Sequence, residues 1–439
     1  MSALSGQAVT EFGLIGAAVG AAFVVVSGAT WLLANRRGRK SDPSRYRRFL
    51  IMGMAVSCFF FAIALVVNLA TREAEHQSSL LSRSGLRQAI SPFLEQAERR
   101  REKRLLAELA SLEPIDAHTH ITQTGPAFVG MLQSLHMHVL DILYVDDTSP
   151  YRSSLEKQKQ DALNFIASAR GQAALCTTFD PFRWSTSGFP QDAINDLNDD
   201  FAHGAVAAKV WKNIGMEIKN STGQYVMPDG PMFEPIYQDI AAHNKTLVIH
   251  AADPDEAWDG KQPITASASY YAANPQWNMS TKLDAPQKGT ILQARDHLLA
   301  TNTDLRVIGA HLGSGEHELD DLGARFERYP NFAVDTAARI RNLAAQPRET
   351  VRSFLLKYQD RILYGTDLRF DGTSGFNDQA ASQIWERQYE LDWRYLATAD
   401  NFNYHGRRIE GLSLPRPVLK KIFHDNAVRW IPGITGNVQ

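Results

Sequence analysis

Cysteine is almost missing from this 439-residue chain, which carries only Cys58 and Cys176. Two thiols build neither a disulfide framework nor a cysteine-rich zinc module. Excess charge is missing too: 46 lysines and arginines meet 48 acids, for a formal net charge of −2. That balance excludes a polyanion-binding tail and gives no electrostatic reason to expect a nucleic-acid partner. Solenoid repeats and low-complexity tracts are absent as well, so the chain is read as ordinary folded sequence.

Long apolar runs are present, and only near the N-terminus. Residues 12–34 and 49–70 are nearly uncharged stretches of about 22 residues, enough for a helix across a ~30 Å hydrocarbon core. The first exceeds the apolar core of a signal peptide and lacks a basic segment before it. Gly16, Gly20 and Gly28 supply small residues for close helix packing, so residues 1–78 read as a transmembrane helical hairpin. The loop between the spans holds Arg36, Arg37, Arg39, Lys40, Arg45, Arg47 and Arg48 against the single acid Asp42. By the positive-inside rule that loop faces the cytoplasm. The expectation is a multi-pass protein of the cell (inner) membrane, with its large C-terminal domain extracytoplasmic and the lipid bilayer as a partner. Residues 79–112 are charged and helix-like, a stalk.

From residue 113 to 439 the sequence alternates short β-branched runs with amphipathic ones, as βα units do. Strand-like runs end at His120, Val145, Phe179, Trp211, His250, His311, Asp335 and Asp367. Helical candidates are Leu155 to Ala169, Gln191 to Ala202, Phe233 to His243, Thr290 to Thr301, Glu318 to Tyr329 and Pro347 to Tyr358. The expected fold is α/β: a (β/α)8 TIM barrel preceded by two transmembrane helices and the stalk.

Ligand-type residues gather where such strands end. Asp116-Ala-His118-Thr-His120 closes the first run, and His250, His311 and Asp367 close later ones. In a barrel those ends open onto one face. His118 and His120, two apart on a strand, point the same way and can reach one ion. Imidazoles with a carboxylate suit Zn²⁺ best, with Mn²⁺, Fe²⁺ or Co²⁺ also acceptable. Any one of these histidines alone is more often a hydrogen-bonded core residue than a ligand; four segments converging reverse that judgement.

The pieces Ile115-Asp-Ala-His-Thr-His120, Val248-Ile-His250, Gly309-Ala-His-Leu-Gly313, Asn331-Phe-Ala-Val-Asp335 and Arg361-Ile-Leu-Tyr-Gly-Thr-Asp367 resemble the amidohydrolase superfamily. The closest likeness is to the amidohydrolase-2 branch, which includes 2-amino-3-carboxymuconate-6-semialdehyde decarboxylase. The resemblance implies His118, His120, His250 and Asp367 as metal ligands, and His311 as a group that polarises substrate or binds a second metal. Lys209 falls where binuclear members carry a carbamylated lysine bridging two ions. One ion is favoured, with Lys209 binding substrate or packing its stem on apolar surface.

The roles that follow are a water activated by the metal, a proton moved by the catalytic Asp367, and an oxyanion stabilised by His311. Asp116 reads as structural and Asp335 as a ligand or a supporting residue. Arg339 and Arg369 are candidates for gripping a substrate carboxylate. The long segment after His250 carries Trp258, Tyr270, Tyr271 and Trp277 and reads as a lid or pocket wall for an apolar or aromatic small molecule. Hydrolysis of an amide, ester or lactone leads. A non-oxidative decarboxylase or C–C lyase, and a non-catalytic membrane-tethered metal-binding module, are the alternatives. A homo-oligomer is compatible with any of them.

Overall fold

Eight short runs of Val, Ile, Leu and Ala form strands because they can be buried on both faces, as a parallel sheet demands. A computed structural model describes residues 51, 82–146, 154–259, 266–371, 375 and 377–436. Its strands are β1 (Ile115–Ile121), β2 (His138–Ile142), β3 (Ala173–Thr178), β4 (Ala207–Val210), β5 (Thr246–Ile249), β6 (Arg306–Gly309), β7 (Phe332–Asp335), β8 (Ile362–Leu363) and β9 (Leu368–Phe370). Each of β1 to β7 pairs in parallel with the next. The eighth barrel strand is divided: β8 pairs with β7, and β9 pairs with β1. Between them the Ala117 amide donates to Tyr364 O and the Asp367 amide to His118 O, so the sheet curls into a TIM-barrel-like ring.

Period-two alternation sorts the side chains. Ile115, Ala117, Leu140, Ile142, Ala174, Cys176, Val248 and Ile308 fill the interior, with Ala427, Trp430, Ile431 and Ile434 from the C-terminal segment. That segment closes the N-terminal end of the ring. Thr246 Oγ1 donates to Trp430 O and Asn426 Nδ2 to Ile362 O, both at strand beginnings. Val139, Leu175, Leu247, Val307 and Val334 point the other way, into the core shared with the helices. The opposite, C-terminal end is left for the site.

The helices after β2 to β7 are Leu155–Ser168, Phe189–Ala202, Glu234–Ala242, Lys288–Thr301, Leu319–Arg328 and Arg348–Lys357. They match the sequence expectation to within a few residues. Two others did not show in the pattern, Pro126–Ser134 and Asp378–Ala397. The first has Gly125 before it and no cap of its own. Asp378, far along the chain, supplies the cap: its carboxylate accepts from the Ala127 amide at 2.8 Å and the Phe128 amide at 2.7 Å.

The placement in a membrane is corrected. Among the described residues no helix is long and apolar enough to cross one, so the inner-membrane, extracytoplasmic assignment is withdrawn. The long helix Ser82–Ala110 carries Arg99, Arg100, Arg101, Lys103 and Arg104, charges that hydrocarbon does not accept. The two apolar segments read as spans lie outside the described residues apart from Ile51. By contacts the chain divides into residues 1–99 and 100–439. Within the second unit Leu105, Leu106 and Leu109 of the long helix are core residues.

The cap generates a prediction. Asp378→Ala should lose about 1–2 kcal/mol of stability, since two helix amides lose their acceptor. Urea unfolding would check it, and a loss below about 0.5 kcal/mol, within the range of a neutral surface change, would show that the helix needs no such partner.

Candidate active site

Three histidine rings reach the mouth of the barrel with their protons already assigned. His120 Nδ1 lies 2.6 Å from Ile142 O, and His311 Nδ1 lies 2.9 Å from Ala337 O. A carbonyl only accepts, so each Nδ1 carries the hydrogen and each Nε2 carries the lone pair. His118 Nδ1 lies 2.8 Å from Asp335 Oδ2, which assigns that ring in the same way. Asp335 also accepts from the His311 amide at 2.8 Å and the Ala337 amide at 3.1 Å.

The free nitrogens face a carboxylate. His120 Nε2 is 3.2 Å and His118 Nε2 is 3.7 Å from Asp367 Oδ1. Donor atoms of His118, His311 and Asp367 lie within 4.8 Å of one another. Burial holds His120 down to about 4 and His311 well below the usual histidine range. Burial opposes the charge on Asp367, and a positive charge shared with His311, His120 and His118 is what holds that carboxyl well below its ordinary value. Lone pairs aimed at an ionised carboxylate repel it; a cation among them reverses the sign. The donor set therefore fits a divalent ion with imidazole and carboxylate ligands, each imidazole oriented from behind by a hydrogen bond.

Backbone strain accompanies these residues. His311, Leu312 and Ser314 hold left-handed φ angles of 59°, 57° and 61°, and Asp367 holds 64°. Single residues of this kind cost on the order of 1 kcal/mol or more. They end the regular ladder sooner than the sequence pattern indicated, at Gly309 and Leu363. Gly309 is required there, because a Cβ on it would lie 2.8 Å from Gly313 Cα and from the Phe332 ring.

The remaining candidates divide. His250 lines the same cavity, its ring centroid 4.3 Å from that of His311, but its Nε2 lies 3.1 Å from Asp253 Oδ1. Burial lowers His250 to about 4. Lys209 is buried, and its Nζ has no hydrogen-bond partner among the described residues. Desolvation lowers its pKa, against the pull of Asp335, Cys176 and Asp367. Arg369 lines the cavity and pairs with Asp371, whereas Arg339 is buried outside that lining, its Nε 3.7 Å from Glu316 Oε2. Asp116 accepts from the His118 and Thr366 amides, Thr366 Oγ1 and Tyr389 Oη, which locks strand ends together.

Sequence reasoning missed Asp253, whose carboxylate binds Lys212 Nζ at 2.7 and 2.8 Å. Its position three residues after His250 was the available signal. Tyr144 and Asp371 were also missed, each just past a strand end on the lining of a cavity of about 650 Å³.

The family profile described as Amidohydrolase matches residues 115–432. The chain belongs to the amidohydrolase family, in its amidohydrolase-2 branch. Members of this family are enzymes acting on small molecules and are typically metal-dependent. No curated protein matches the chain. Solved structures similar to this amidohydrolase include 2,6-dihydroxybenzoate decarboxylase from Rhizobium, at 14% identity and TM-score 0.40 over 72% of this chain and 98% of that one. Dihydroorotase from Campylobacter jejuni is similar at 10% identity and TM-score 0.38, over 72% and 82%. 4-Oxalomesaconate hydratase from Rhodopseudomonas palustris is similar at 12% identity and TM-score 0.37, over 74% and 97%.

Asp335 offers a test of the assigned protons. In Asp335→Asn the amide NH₂ must face either His118 Nδ1–H or two backbone N–H groups, all of them donors. Zinc affinity measured by competition with a chromophoric chelator should fall about 10–100-fold. Unchanged affinity would show that His118 is not oriented through Asp335.

Proposed function

We propose that this amidohydrolase is a metal-dependent hydrolase acting on an amide, ester or lactone. The observation that carries the reading is the set of Nε2 lone pairs directed at the ionised Asp367. His118, His120, His311 and Asp367 would hold the ion, with His250 bordering the same centre. When bound, a divalent ion there supplies Lewis acidity, which lowers the pKa of water towards ~7 and polarises a carbonyl.

Asp367 does the proton work. Its backbone is fixed by the hydrogen bond that the Asp367 amide donates to His118 O at 2.8 Å, so its side chain stays at the mouth of the barrel. One oxygen accepts a proton from the attacking water; the proton then passes to the leaving oxygen or nitrogen as the acyl bond breaks. Water ends as hydroxyl on the acyl carbon and hydrogen on the leaving atom, so atoms balance. His311, with Nδ1–H on Ala337 O, has no proton at Nε2 to give an oxyanion. It serves better as a ligand than as the electrophile the sequence suggested. Lys209 is left for substrate contact in this reading, which takes one ion rather than two.

Decarboxylation of a carboxylated aromatic is supported less well. Arg369 is engaged by Asp371, and Arg339 faces Glu316 instead of the cavity.

The test combines metal content with a substrate panel on the full chain. About one zinc or manganese ion per chain, falling in Asp367→Ala, is expected from the donor set. Ester, lactone or amide hydrolysis should be lost after chelation and fall about 10²–10⁴-fold in Asp367→Asn, the scale of a lost proton carrier. Release of carbon dioxide from hydroxybenzoates, without acyl hydrolysis, would overturn the reading in favour of a decarboxylase.

A further inference from the structure

We propose that the substrate is a neutral aromatic acyl compound, its ring laid along a row of rings that begins at the catalytic centre. The row is continuous. The His120 and Tyr144 centroids are 5.0 Å apart, Tyr144 and Trp211 are 4.8 Å apart, and Trp211 and Trp277 are 5.0 Å apart. All four line the cavity, as does Tyr270. They come from separate strand ends: Tyr144 just past β2, Trp211 just past β4, and Tyr270 and Trp277 from the long segment after β5. Tyr144 and Trp211 remain partly exposed, so ring surface is available to a flat ligand beside Asp367.

Charge decides between a neutral and an anionic ring. Lys212 sits over this row, its Nζ 4.5 Å from the Trp277 centroid and 4.9 Å from that of Tyr270. Both oxygens of Asp253 already bind it, and Tyr270 Oη accepts from it at 2.8 Å. Arg369 lies 5.4 Å from the Tyr144 centroid and is bound through Nε and Nη2 by Asp371 at 2.8 and 2.7 Å. Lys157 at the rim is held by Asp161 at 2.6 Å. Lys209 has no hydrogen-bond partner among the described residues, but it is buried and the carboxylates of Asp335 and Asp367 offset its charge. Asp146 and Asp367 add negative charge to the same lining. A carboxylated ring would have to displace an internal carboxylate from its cation, whereas an uncharged ring need only stack.

The inference rests on the hydrolase reading for the fate of the acyl bond. Water adds across that bond, the acyl carbon keeps the hydroxyl, and the leaving oxygen or nitrogen takes the hydrogen.

Binding separates this proposal from that reading. The metal-loaded full chain would be titrated calorimetrically with benzamide, cyclohexanecarboxamide and 3-carbamoylbenzoate, amides that differ in aromaticity and charge. Benzamide should bind at least about tenfold more tightly than either of the others, and Trp211→Leu or Tyr144→Leu should remove most of that margin. Equal binding of the cyclohexane amide, tighter binding of the carboxylated probe, no binding of any probe, or an unchanged margin in both variants would overturn the proposal. Preferential benzamide binding without hydrolysis of methyl benzoate would instead sink the hydrolase reading and leave the aromatic site standing.

Discussion

The carboxylate of Asp335 is the constraint on which the mouth of this barrel depends. One oxygen accepts from His118 Nδ1 on β1, and the other accepts from backbone amides of His311 and Ala337. A single buried side chain thus sets the tautomer of one imidazole and the backbone position of another. Burial without such partners would be costly for a carboxylate; here three donors compensate. The remaining rings are oriented by carbonyl groups, which accept only one tautomer. The chemistry available at Nε2 is therefore decided behind the rings, by groups a substrate never touches.

The divided eighth strand follows from the same requirement. A regular strand would carry Asp367 along the ladder, whereas a left-handed φ of 64° turns its side chain to the histidines while its amide still bonds His118 O. At β6 the chain also leaves regular geometry, at His311. Strain concentrated at these two places is tolerable because the ring on either side is fully paired and buried, so it overdetermines the local conformation.

Much of this was legible in the residues. Short Val- and Ile-rich runs punctuated by amphipathic ones announce a parallel barrel, and His118, His120, His250, His311 and Asp367 stand where such runs end. What local sequence could not show depended on distant partners. The helix Pro126–Ser134 takes its cap from Asp378, about 250 residues on, and so has no N-terminal signal of its own. Arg339 and Arg369 look alike in sequence, each just past a strand. Only packing shows that the first turns to Glu316 and the second to the cavity. The turn that puts His250 Nε2 on Asp253 is likewise a matter of three dimensions.

Three aspartates at these strand ends show how environment separates identical side chains into different tasks. Asp116 is fully buried, and desolvation pushes it up to about 7 despite four hydrogen bonds from Thr366, His118 and Tyr389. Its oxygens are committed to holding strands together, and a proton there reaches no substrate. Asp335 is committed to backbone amides and an imidazole. Asp367 alone combines an ionised carboxylate with a position on the cavity wall and histidine lone pairs on its inner side. A group that must receive a proton from water and then release it needs exposure to the substrate on one side and charge compensation on the other. Among these three, only Asp367 meets both conditions.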